Sequence, residues 1–444
     1  MPSSINGLVV TGISSEAFQG IPSLTAVTIP GSVLNIGSEA FSECSALTNV
    51  TLTDGLVDIG EEAFYNCSAL TAVNIPGSVT NIEGSAFEYC ATLSGVAIPA
   101  SVIALGNAAF FGCYSLGTLT TYGSATIGDQ AFEYCLSLTN VTLGDGTMNI
   151  GNYAFYQCNS IGSVTIPGSV TNIGQEAFAS CSSLTNVTMQ NGISSLGYDA
   201  FYNCEGLASI TIPASVGSIG EQAFYACSSL TNAAILGNVS NFGVNVFEHC
   251  TNLSCVIIFS NTPAIPSGTF FGCTSLTAVI LSTNVNSIGI GAFFDCTSLS
   301  TITLPASVNS IGASAFGSCS GLSSIYFLGN SPTVASSVFD SDDNVTVYYL
   351  PGTSGWEPSL SGRGAVLWNP TVRGGGISFG ANENEFGFDI TGSTNVPILV
   401  QACNDLSNPV WISLQTVTLT NGLFHFIDPQ SMSYPSRCYR IRSP

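Results

Sequence analysis

The fold is decided by a stretch that recurs along most of the chain, Leu47 to Cys67, which reads Leu-Thr-Asn-Val-Thr-Leu-Thr-Asp-Gly-Leu-Val-Asp-Ile-Gly-Glu-Glu-Ala-Phe-Tyr-Asn-Cys. Its phenylalanine belongs to a series with a step of 23 residues and a single step of 22. The series is Phe18, Phe41, Phe64, Phe87, Phe110, Phe132, Phe155, Phe178, Phe201, Phe224, Phe247, Phe270, Phe293, Phe316 and Phe339. A fixed period in the twenties indicates a solenoid, in which each repeat forms one coil that stacks on the next.

The consensus of the repeat is Leu-x-x-Val-x-Ile-Pro-x-Ser-Val-x-x-Ile-Gly-x-x-Ala-Phe-x-x-Cys, and its apolar positions are predicted to face inward. The Val-x-Ile segment alternates with period two and is β-branched, which predicts a short strand that pairs in parallel with its neighbours. Proline then marks a corner, because it lacks the N–H that a ladder needs. An acid often precedes Ala-Phe, which predicts a short helical turn with a carboxylate at its positive end; these acids are Glu16, Glu39, Glu62, Glu176 and Asp199.

This pattern resembles the BspA-type leucine-rich repeat, a class found on bacterial surface proteins and some protist surface proteins. The resemblance covers roughly residues 1 to 350 and rests on the fifteen Ala-Phe-type turns with Ile-Pro-x-Ser-Val-x-x-Ile-Gly between them. Val246, Thr269 and Val338 replace the alanine, and the turn from Tyr122 to Ile127 is shortened. The resemblance implies a mainly β leucine-rich-repeat solenoid of about fifteen 23-residue turns, with short parallel strands and short helical turns.

The chain divides into three predicted segments: the solenoid at 1–343, a cap of the array at 344–372, and a small antiparallel β-sandwich at 373–444. In the cap, Tyr348, Trp356 and Trp368 have the area to cover the last open coil. A carbohydrate-binding role for the two tryptophans is the alternative. Arg373-Gly374-Gly375-Gly376 predicts a flexible joint before the sandwich.

The last segment consists of short alternating stretches separated by turn residues, which predicts the small sandwich. It resembles the short C-terminal module that follows these repeats in verrucomicrobial and related bacteria, which ends in Arg-x-Tyr-Arg-Ile. Here that motif is Arg437-Cys438-Tyr439-Arg440-Ile441. Cys403 and Cys438 are expected to be able to pair if their strands adjoin.

The charge of the chain is strongly one-sided. The formal net charge is −22, there is no lysine, and all five arginines follow the repeats: Arg363, Arg373, Arg437, Arg440 and Arg442. Nucleic acid and anionic membrane both require clustered basic residues, so neither is expected as a partner.

No apolar run reaches the length of a membrane-spanning helix. The positive mean hydropathy, +0.42, indicates a surface prone to association.

The chain begins within a repeat, because Met1-Pro2-Ser3-Ser4-Ile5 stands where Ile-Pro-x-Ser-Val is expected. We therefore expect that a secretion signal and a first strand are missing upstream of this sequence. The alternative is a true start whose open edge is covered by a partner. The expected location is extracellular or at the cell surface.

Thirteen of the sixteen cysteines occupy one repeat position and are predicted to form a ladder. They are Cys44, Cys67, Cys90, Cys113, Cys135, Cys158, Cys181, Cys204, Cys227, Cys250, Cys273, Cys296 and Cys319. Neighbours one strand spacing apart are near disulfide range, but parallel side chains rarely meet the torsion that a disulfide needs. Buried free thiols are therefore expected, with oxidation of some adjacent pairs as the alternative.

The residue between the two inward strand positions is predicted to face solvent. Across the coils it is mostly threonine, and we call this set the threonine row: Thr28, Thr51, Thr120, Thr142, Thr165, Thr188, Thr211 and Thr303. β-Propensity alone explains such a row; a lattice that matches ordered water or a polysaccharide is the alternative. Toward its end the row becomes apolar, and the candidate binding face is Ala234, Cys255, Ile257, Ile280 and Tyr326.

The sequence contains no recognisable catalytic constellation, metal motif or cofactor motif. His249 and His425 lack a nucleophile or acid at a characteristic spacing, so an enzyme is not expected. Asp340 to Asn344 is the densest acidic cluster; a solvated loop is the simpler interpretation, and a calcium site is the alternative.

Two functions remain. In the first, the protein is a non-catalytic adhesion module whose strand face binds a protein or glycan, as the family resemblance implies. In the second, it is a structural subunit that self-assembles into fibres or a surface layer, because open strand edges and low charge favour association. A third possibility is that the threonine row binds ice or a crystalline polysaccharide.

Overall fold

The computed structural model describes residues 1–123, 125–259, 261–373, 380–382, 385–406, 409–434 and 437–443. They form a mainly β solenoid followed by an antiparallel β module. Each coil contributes one longer strand and one short strand, and equivalent strands of successive coils pair in parallel. The predicted solenoid of about fifteen 23-residue turns is confirmed.

The coil that contains Leu47–Cys67 shows why the repeat folds in this way. Its longer strand, Asn49–Leu52, alternates exposed and buried residues, so Val50 and Leu52 face the interior. The remaining apolar positions are also completely buried, namely Leu47, Leu56, Ile59, Ala63, Phe64 and Cys67. Burying a large aliphatic or aromatic side chain contributes about 1.5–3 kcal/mol. One coil cannot bury these groups alone, so the stacking of coils stabilises the fold.

The longer strands build the strand face of the solenoid. Among the described residues they pair as three consecutive sheets of three, nine and five strands. Breaks lie between Ala72–Val73 and Gly95–Ile98 and between Ala278–Ile280 and Thr301–Leu304. The strands are Ala26–Ile29, Asn49–Leu52, Ala72–Val73, Gly95–Ile98, Thr118–Thr121, Asn140–Thr142, Ser163–Ile166, Asn186–Met189, Ser209–Ile212, Asn232–Ile235, Cys255–Ile258, Ala278–Ile280, Thr301–Leu304, Ser324–Phe327, Thr346–Tyr349 and Arg363–Leu367, with Ser359–Leu360 antiparallel to the last.

A second ladder of two-residue strands follows the corner in each coil. In the described part of the chain it breaks once, between Asn241–Phe242 and Ala264–Ile265, where the repeat sequence is least regular. Its strands are Gly12–Ile13, Asn35–Ile36, Asp58–Ile59, Asn81–Ile82, Ala104–Leu105, Thr126–Ile127, Asn149–Ile150, Asn172–Ile173, Ser195–Leu196, Ser218–Ile219, Asn241–Phe242, Ala264–Ile265, Ser287–Ile288, Ser310–Ile311 and Thr333–Val334. At the N-terminus, Ser4–Ile5 and Leu8–Val9 form a hairpin around Asn6-Gly7.

The short helical turn predicted before each Ala-Phe pair is wrong, because these residues form stacked β-turns. The described residues contain one 3-10 helix, Ser431–Ser433, and no α-helix. In one coil, the N–H groups of Phe41 and Glu43 donate to the carbonyls of Ala63 and Tyr65 in the next coil, at 2.8 and 2.7 Å. An α-helix would use these donors within its own coil. The turns therefore join successive coils by hydrogen bonds on this side of the solenoid, as the paired strands do elsewhere in each coil.

The acids expected at a helix N-terminus occupy left-handed backbone positions instead. Glu16, Glu39, Glu62, Glu176 and Asp199 have φ between 51° and 58°. A second left-handed position follows four residues later, as at Glu43 with φ 58°. The left-handed region is unfavourable for residues with a Cβ. The hydrogen bonds between coils hold these residues there.

Two ladders fill the interior of the array. The marker phenylalanines stack face to face from Phe18 to Phe339, with centroids 5.0–6.1 Å apart. The thirteen ladder cysteines are buried, and they are free thiols in this structure. Each thiol donates to the carbonyl oxygen of the phenylalanine in the preceding coil, at 2.9–3.4 Å.

Aromatic side chains cover the end of the array. Trp356 stacks on Tyr349 with centroids 4.9 Å apart and meets Phe327 edge-on at 5.1 Å. Trp368 donates its indole N–H to the carbonyl of Pro397, at 2.9 Å. Trp356 thus packs on the last coils of the array, whereas Trp368 joins the array to the C-terminal module.

The C-terminal module consists of two antiparallel sheets that share one core. One sheet contains Thr371–Arg373, Gly380–Asn382, Glu385–Thr391 and Leu423–Asp428, and the other contains Val396–Cys403, Ile412–Leu419 and Cys438–Arg442. Both sheets contribute to that core, which comprises Phe388, Ile390, Ile398, Val400, Leu419 and Phe426. The glycines 374–376 of the predicted flexible joint lie outside the described residues.

The Arg-x-Tyr-Arg motif holds this module together. Arg437 forms a buried ion pair with Asp428 at 3.3 Å, and the Tyr439 hydroxyl donates to the same carboxylate at 2.9 Å. Arg440 donates to Gln401 at 2.8 Å and lies over the ring of Trp411 at 4.3 Å. The motif therefore joins its strand to both sheets.

Candidate binding site on the strand face

The threonine row lies in register along the strand face. Thr28 is opposite Thr51, and Thr165 is opposite Thr188. Six members are exposed, whereas Thr120 and Thr303 are half-buried. The hydroxyls therefore form an uncharged row that a partner can approach without removing water from ions.

The apolar part of the candidate face is contiguous. Ala234, Ile257 and Ile280 lie directly opposite one another on three neighbouring strands. Ile280 is 54% exposed, whereas Ala234, Cys255 and Ile257 are half-buried. These four residues thus form one local apolar patch on a face that is otherwise rich in hydroxyl groups.

The expectation that Tyr326 faces solvent is wrong. The side chain is 3% exposed, stacks on Tyr348 at 5.0 Å, and packs with Val396 of the C-terminal module. Burial raises the pKa of Tyr326 well above its usual range. The C-terminal module covers this end of the strand face, which the repeat pattern alone does not indicate.

A cleft of 560 Å³ lies beside the apolar patch. Ile280, Thr301, Thr303 and Leu328 line it from the array, and Arg442 lines it from the C-terminal module. It coincides with the break between Ala278–Ile280 and Thr301–Leu304, where the two strands are not joined as a ladder. Its volume is typical of sites that accept a small ligand or a side chain of a partner.

The polar groups of the cleft are several hydroxyls and one guanidinium. The hydroxyl oxygen of Thr301 is buried and has no hydrogen-bond partner within the described part of the chain. Arg442 is exposed and supplies a cationic group beside an otherwise uncharged strand face. Sequence reasoning found Ile280 and Thr303 but missed Arg442, because a residue of the last strand reaches the array only through the docking of the module.

A smaller cavity of 210 Å³ continues from the cleft under the C-terminal module. Tyr326, Tyr348, Leu350, Trp368 and Ile441 line it, and it shares Leu328 and Arg442 with the larger cleft. Its lining is mainly aromatic and aliphatic. The larger cleft therefore has a mixed polar and apolar lining, whereas the smaller cavity is mainly apolar.

The acidic loop at Asp340–Asn344 is tied to the array. Asp342 is buried and accepts the backbone N–H of Cys319 at 2.8 Å. Arg363 donates to the carbonyl of Asp342 at 2.7 Å and forms an ion pair with Asp343 at 2.9 Å. Within the described ranges, no three His, Cys, Asp or Glu side chains converge as a metal site would require.

The two histidines lie in separate surroundings. His249 contacts Tyr225 and Phe271 edge-on, and its Nε2 is 3.6 Å from Glu248. His425 Nδ1 lies 2.5 Å from Asp389 on a neighbouring strand of the C-terminal module. Both histidines therefore have a partner that holds the ring in place.

No helix long and apolar enough to cross a bilayer occurs among the residues described here.

The fold and the strand face define a leucine-rich-repeat solenoid. Residues 11–139, 121–231 and 240–354 match the family described as BspA type Leucine rich repeat region, in six copies. The matched residues cover well over half of the chain. The chain belongs to this family.

The chain is also similar to solved structures of leucine-rich repeat proteins, and the first of these supports the same assignment. A leucine-rich repeat protein from Bacteroides ovatus is 31% identical, with a TM-score of 0.63, over 79% of this chain and 86% of the other. A leucine rich cell surface protein from Faecalibacterium prausnitzii is 25% identical, with a TM-score of 0.39, over 78% and 86%. A leucine-rich repeat protein from Eubacterium ventriosum is 22% identical, with a TM-score of 0.40, over 66% and 82%. No match was found among curated proteins.

Proposed function

We propose that this protein is a non-catalytic extracellular binding protein that recognises a protein or glycan through its strand face. The observation that carries the proposal is the 560 Å³ cleft at the break in that face, beside the apolar patch. The unpartnered Thr301 hydroxyl and the Arg442 guanidinium provide hydrogen bonds, and Ile280 and Leu328 provide apolar contact. A lining that combines apolar side chains with polar groups is typical of recognition sites.

Display at the cell surface or secretion is part of the proposal. The repeats belong to the BspA-type family, and repeats of this type occur on bacterial surface proteins. The sequence Arg437 to Ile441 resembles the end of the short module that follows such repeats in verrucomicrobial proteins. Binding without chemistry agrees with the dispersed acids and the separate surroundings of the two histidines.

A second candidate function is self-assembly into fibres or a surface layer. Exposed apolar residues beside the short-strand ladder favour it, because exposed apolar surface promotes association. These residues are Leu34, Val57, Ile103 and Met148, which are 39–69% exposed. Electron microscopy over a concentration series distinguishes the two functions: ordered polymers support assembly, and persistent monomers support binding.

The binding function is tested by changing Ile257 and Ile280 together to aspartate and screening glycans and matrix proteins. Charges in the apolar patch should weaken binding at least tenfold, or about 1.4 kcal/mol, because buried apolar contacts supply most of the energy of interfaces. Binding should change little in 0.5 M salt, since the contact is mainly apolar.

The matched control is the double change of Thr142 and Thr165 to aspartate, which adds the same charge to an exposed part of the same face. It should keep the fold and affect binding less. Normal binding by a folded isoleucine variant, or complete loss of binding in salt, would place the contact elsewhere. Circular dichroism of both variants establishes that they are folded.

A further inference from the structure

A second surface, formed by the stacked turns, carries a continuous series of half-buried rings. Tyr65, Tyr89, Phe111, Tyr134 and Tyr156 come from five successive coils, and we call them the aromatic stripe. Neighbouring centroids are 5.4–5.9 Å apart with interplanar angles of 79–88°. This edge-to-face arrangement is the preferred contact between aromatic rings.

The stripe is continuous because the rings alternate between two positions of the repeat. Tyr65, Phe111 and Tyr156 directly follow a buried phenylalanine, whereas Tyr89 and Tyr134 come one residue later. The later position is left-handed, with φ of 56° and 60° for the two tyrosines. Glycine takes it in other coils, for example at Gly112 with φ 64°. Bulky residues are rare in this region, so keeping the rings aligned costs backbone strain.

In the two coils whose ring occupies the later position, the residue directly after the buried phenylalanine is a glutamate. Glu88 precedes Tyr89 and Glu133 precedes Tyr134. Burial raises the pKa of Tyr89, and the charges of Glu88 and Glu133 raise it further, as does Tyr65. The carboxylates and the ring hydroxyls therefore share one small region of the surface.

Glu133 is the exceptional member of this group. Its side chain is 6% exposed, and its Oε2 has no hydrogen-bond partner among the described residues. Burial raises its pKa, because the charged form loses water. A buried carboxylate is usually paired with a cation, but residues 1–362 include no lysine or arginine. Any lysine or arginine that pairs with Glu133 must therefore come from outside residues 1–362 or from another molecule.

We propose that the aromatic stripe binds a lysine- and arginine-rich polypeptide segment, whose cationic groups lie against the rings and pair with Glu88 and Glu133. Ring faces attract ammonium and guanidinium groups. The net charge of −22 steers such a partner toward the protein. The rings repeat along successive coils and the two carboxylates lie two coils apart, which matches cations that are spaced along a chain. This surface is distinct from the strand face and serves a different partner.

Fluorescence anisotropy of the full chain with a labelled oligolysine tests this inference, with a neutral Gly/Ser peptide as the reference probe. Oligolysine should bind and the neutral peptide should not. Glu88→Gln with Glu133→Gln should weaken oligolysine binding at least tenfold. The charge-matched control, Asp54→Asn with Asp145→Asn, alters exposed corners outside the stripe and should weaken it less than threefold.

The rings are tested without a change of charge. Tyr89→Leu with Tyr134→Leu should weaken binding at least fivefold, whereas Tyr89→Phe with Tyr134→Phe retains the rings and should bind like the wild type. Three results would overturn the proposal: no oligolysine binding, equal weakening by the charge-matched control, or unchanged binding by folded leucine variants. If the leucine variants unfold, the glutamine and phenylalanine pairs still decide the outcome.

Discussion

The thiol of Cys158 donates a hydrogen bond of 3.1 Å to the carbonyl oxygen of Phe132, in the preceding coil. The same oxygen also accepts the backbone N–H of Cys135 at 3.2 Å. The sulfur of Cys158 therefore fills space and adds a weak hydrogen bond, but the Phe132 carbonyl would still have a hydrogen-bond donor without it. The thirteen equivalent thiols act as small buried groups that link each coil to the one before.

Cys158→Ala should lower the free energy of unfolding by only about 1 kcal/mol, because it removes one sulfur atom and leaves the Phe132 carbonyl hydrogen-bonded. Denaturant unfolding measures this change. Cys158→Ser, which keeps a donor, is the matched variant and should differ little from alanine. A loss above 3 kcal/mol for Cys158→Ala would contradict this account of the ladder.

The buried thiols should make the protein sensitive to alkali. Burial raises the pKa of Cys67, and also that of Cys319, from 9.0 to about 12. The unfolded chain loses these protons from about pH 9, while the folded chain keeps them, so the stability they contribute is complete below pH 9 and is lost as the pH rises toward 12. Unfolding free energies measured between pH 7 and 11 should therefore fall above pH 9.

The control for the alkaline effect is Cys67→Ala with Cys319→Ala. It should be less stable at neutral pH but lose less stability between pH 9 and 11 than the wild type. An identical decrease in both proteins would assign the alkaline sensitivity to other groups.

Phe155→Ala should cost about 3–5 kcal/mol, because the ring is completely buried between two others and its loss leaves a large cavity. Its centroid lies 5.4 Å from that of Phe132 and 5.0 Å from that of Phe178. Thermal or denaturant unfolding measures the loss. Tyr122→Ala, at a residue that is 67% exposed, should change stability by less than about 0.5 kcal/mol. Equal effects at the two positions would show that the ring stack does not stabilise the array.

Two adjacent alanines offer a direct test of the stacked turns. Ala108 is left-handed, with φ 55°, whereas Ala109 is completely buried beside Phe110. Ala108→Gly should leave stability unchanged or raise it by up to about 1 kcal/mol, because glycine relieves the left-handed strain. Ala109→Gly should lower the stability by about 1 kcal/mol, since glycine raises the conformational entropy of the unfolded chain and the change removes a packed methyl group. Destabilisation by both changes to the same extent would contradict the assigned backbone geometry.

Cys403 and Cys438 lie directly opposite each other on neighbouring antiparallel strands of the C-terminal module, and both are free. Opposite residues have Cβ atoms close to the distance that a disulfide requires. Incubation with glutathione disulfide should therefore oxidise this pair, with the two electrons passing to glutathione. Mass spectrometry should find the Cys403–Cys438 crosslink before any crosslink in the buried ladder. Earlier crosslinking within the ladder would contradict the prediction.

The inward positions of each coil were predictable because they repeat. Phe64 and Cys67 recur at the same place in coil after coil, and stacking equivalent coils buries these repeated apolar positions. The turns before Ala-Phe were not predictable in the same way. The acid at Glu39 suits a helix N-terminus locally, but the hydrogen bonds to the next coil favour a left-handed turn.

The sequence by itself determined the solenoid, its corners, its phenylalanine and cysteine ladders, and the threonine row, because each depends only on the repeat and on contacts between adjacent coils. The tertiary structure alone decided that Tyr326 is buried under Val396 and that Arg442 reaches the cleft beside Ile280. Those contacts join residues far apart in the chain and outside the repeat. No periodic pattern encodes them, because they arise from how the C-terminal module packs on the last coils.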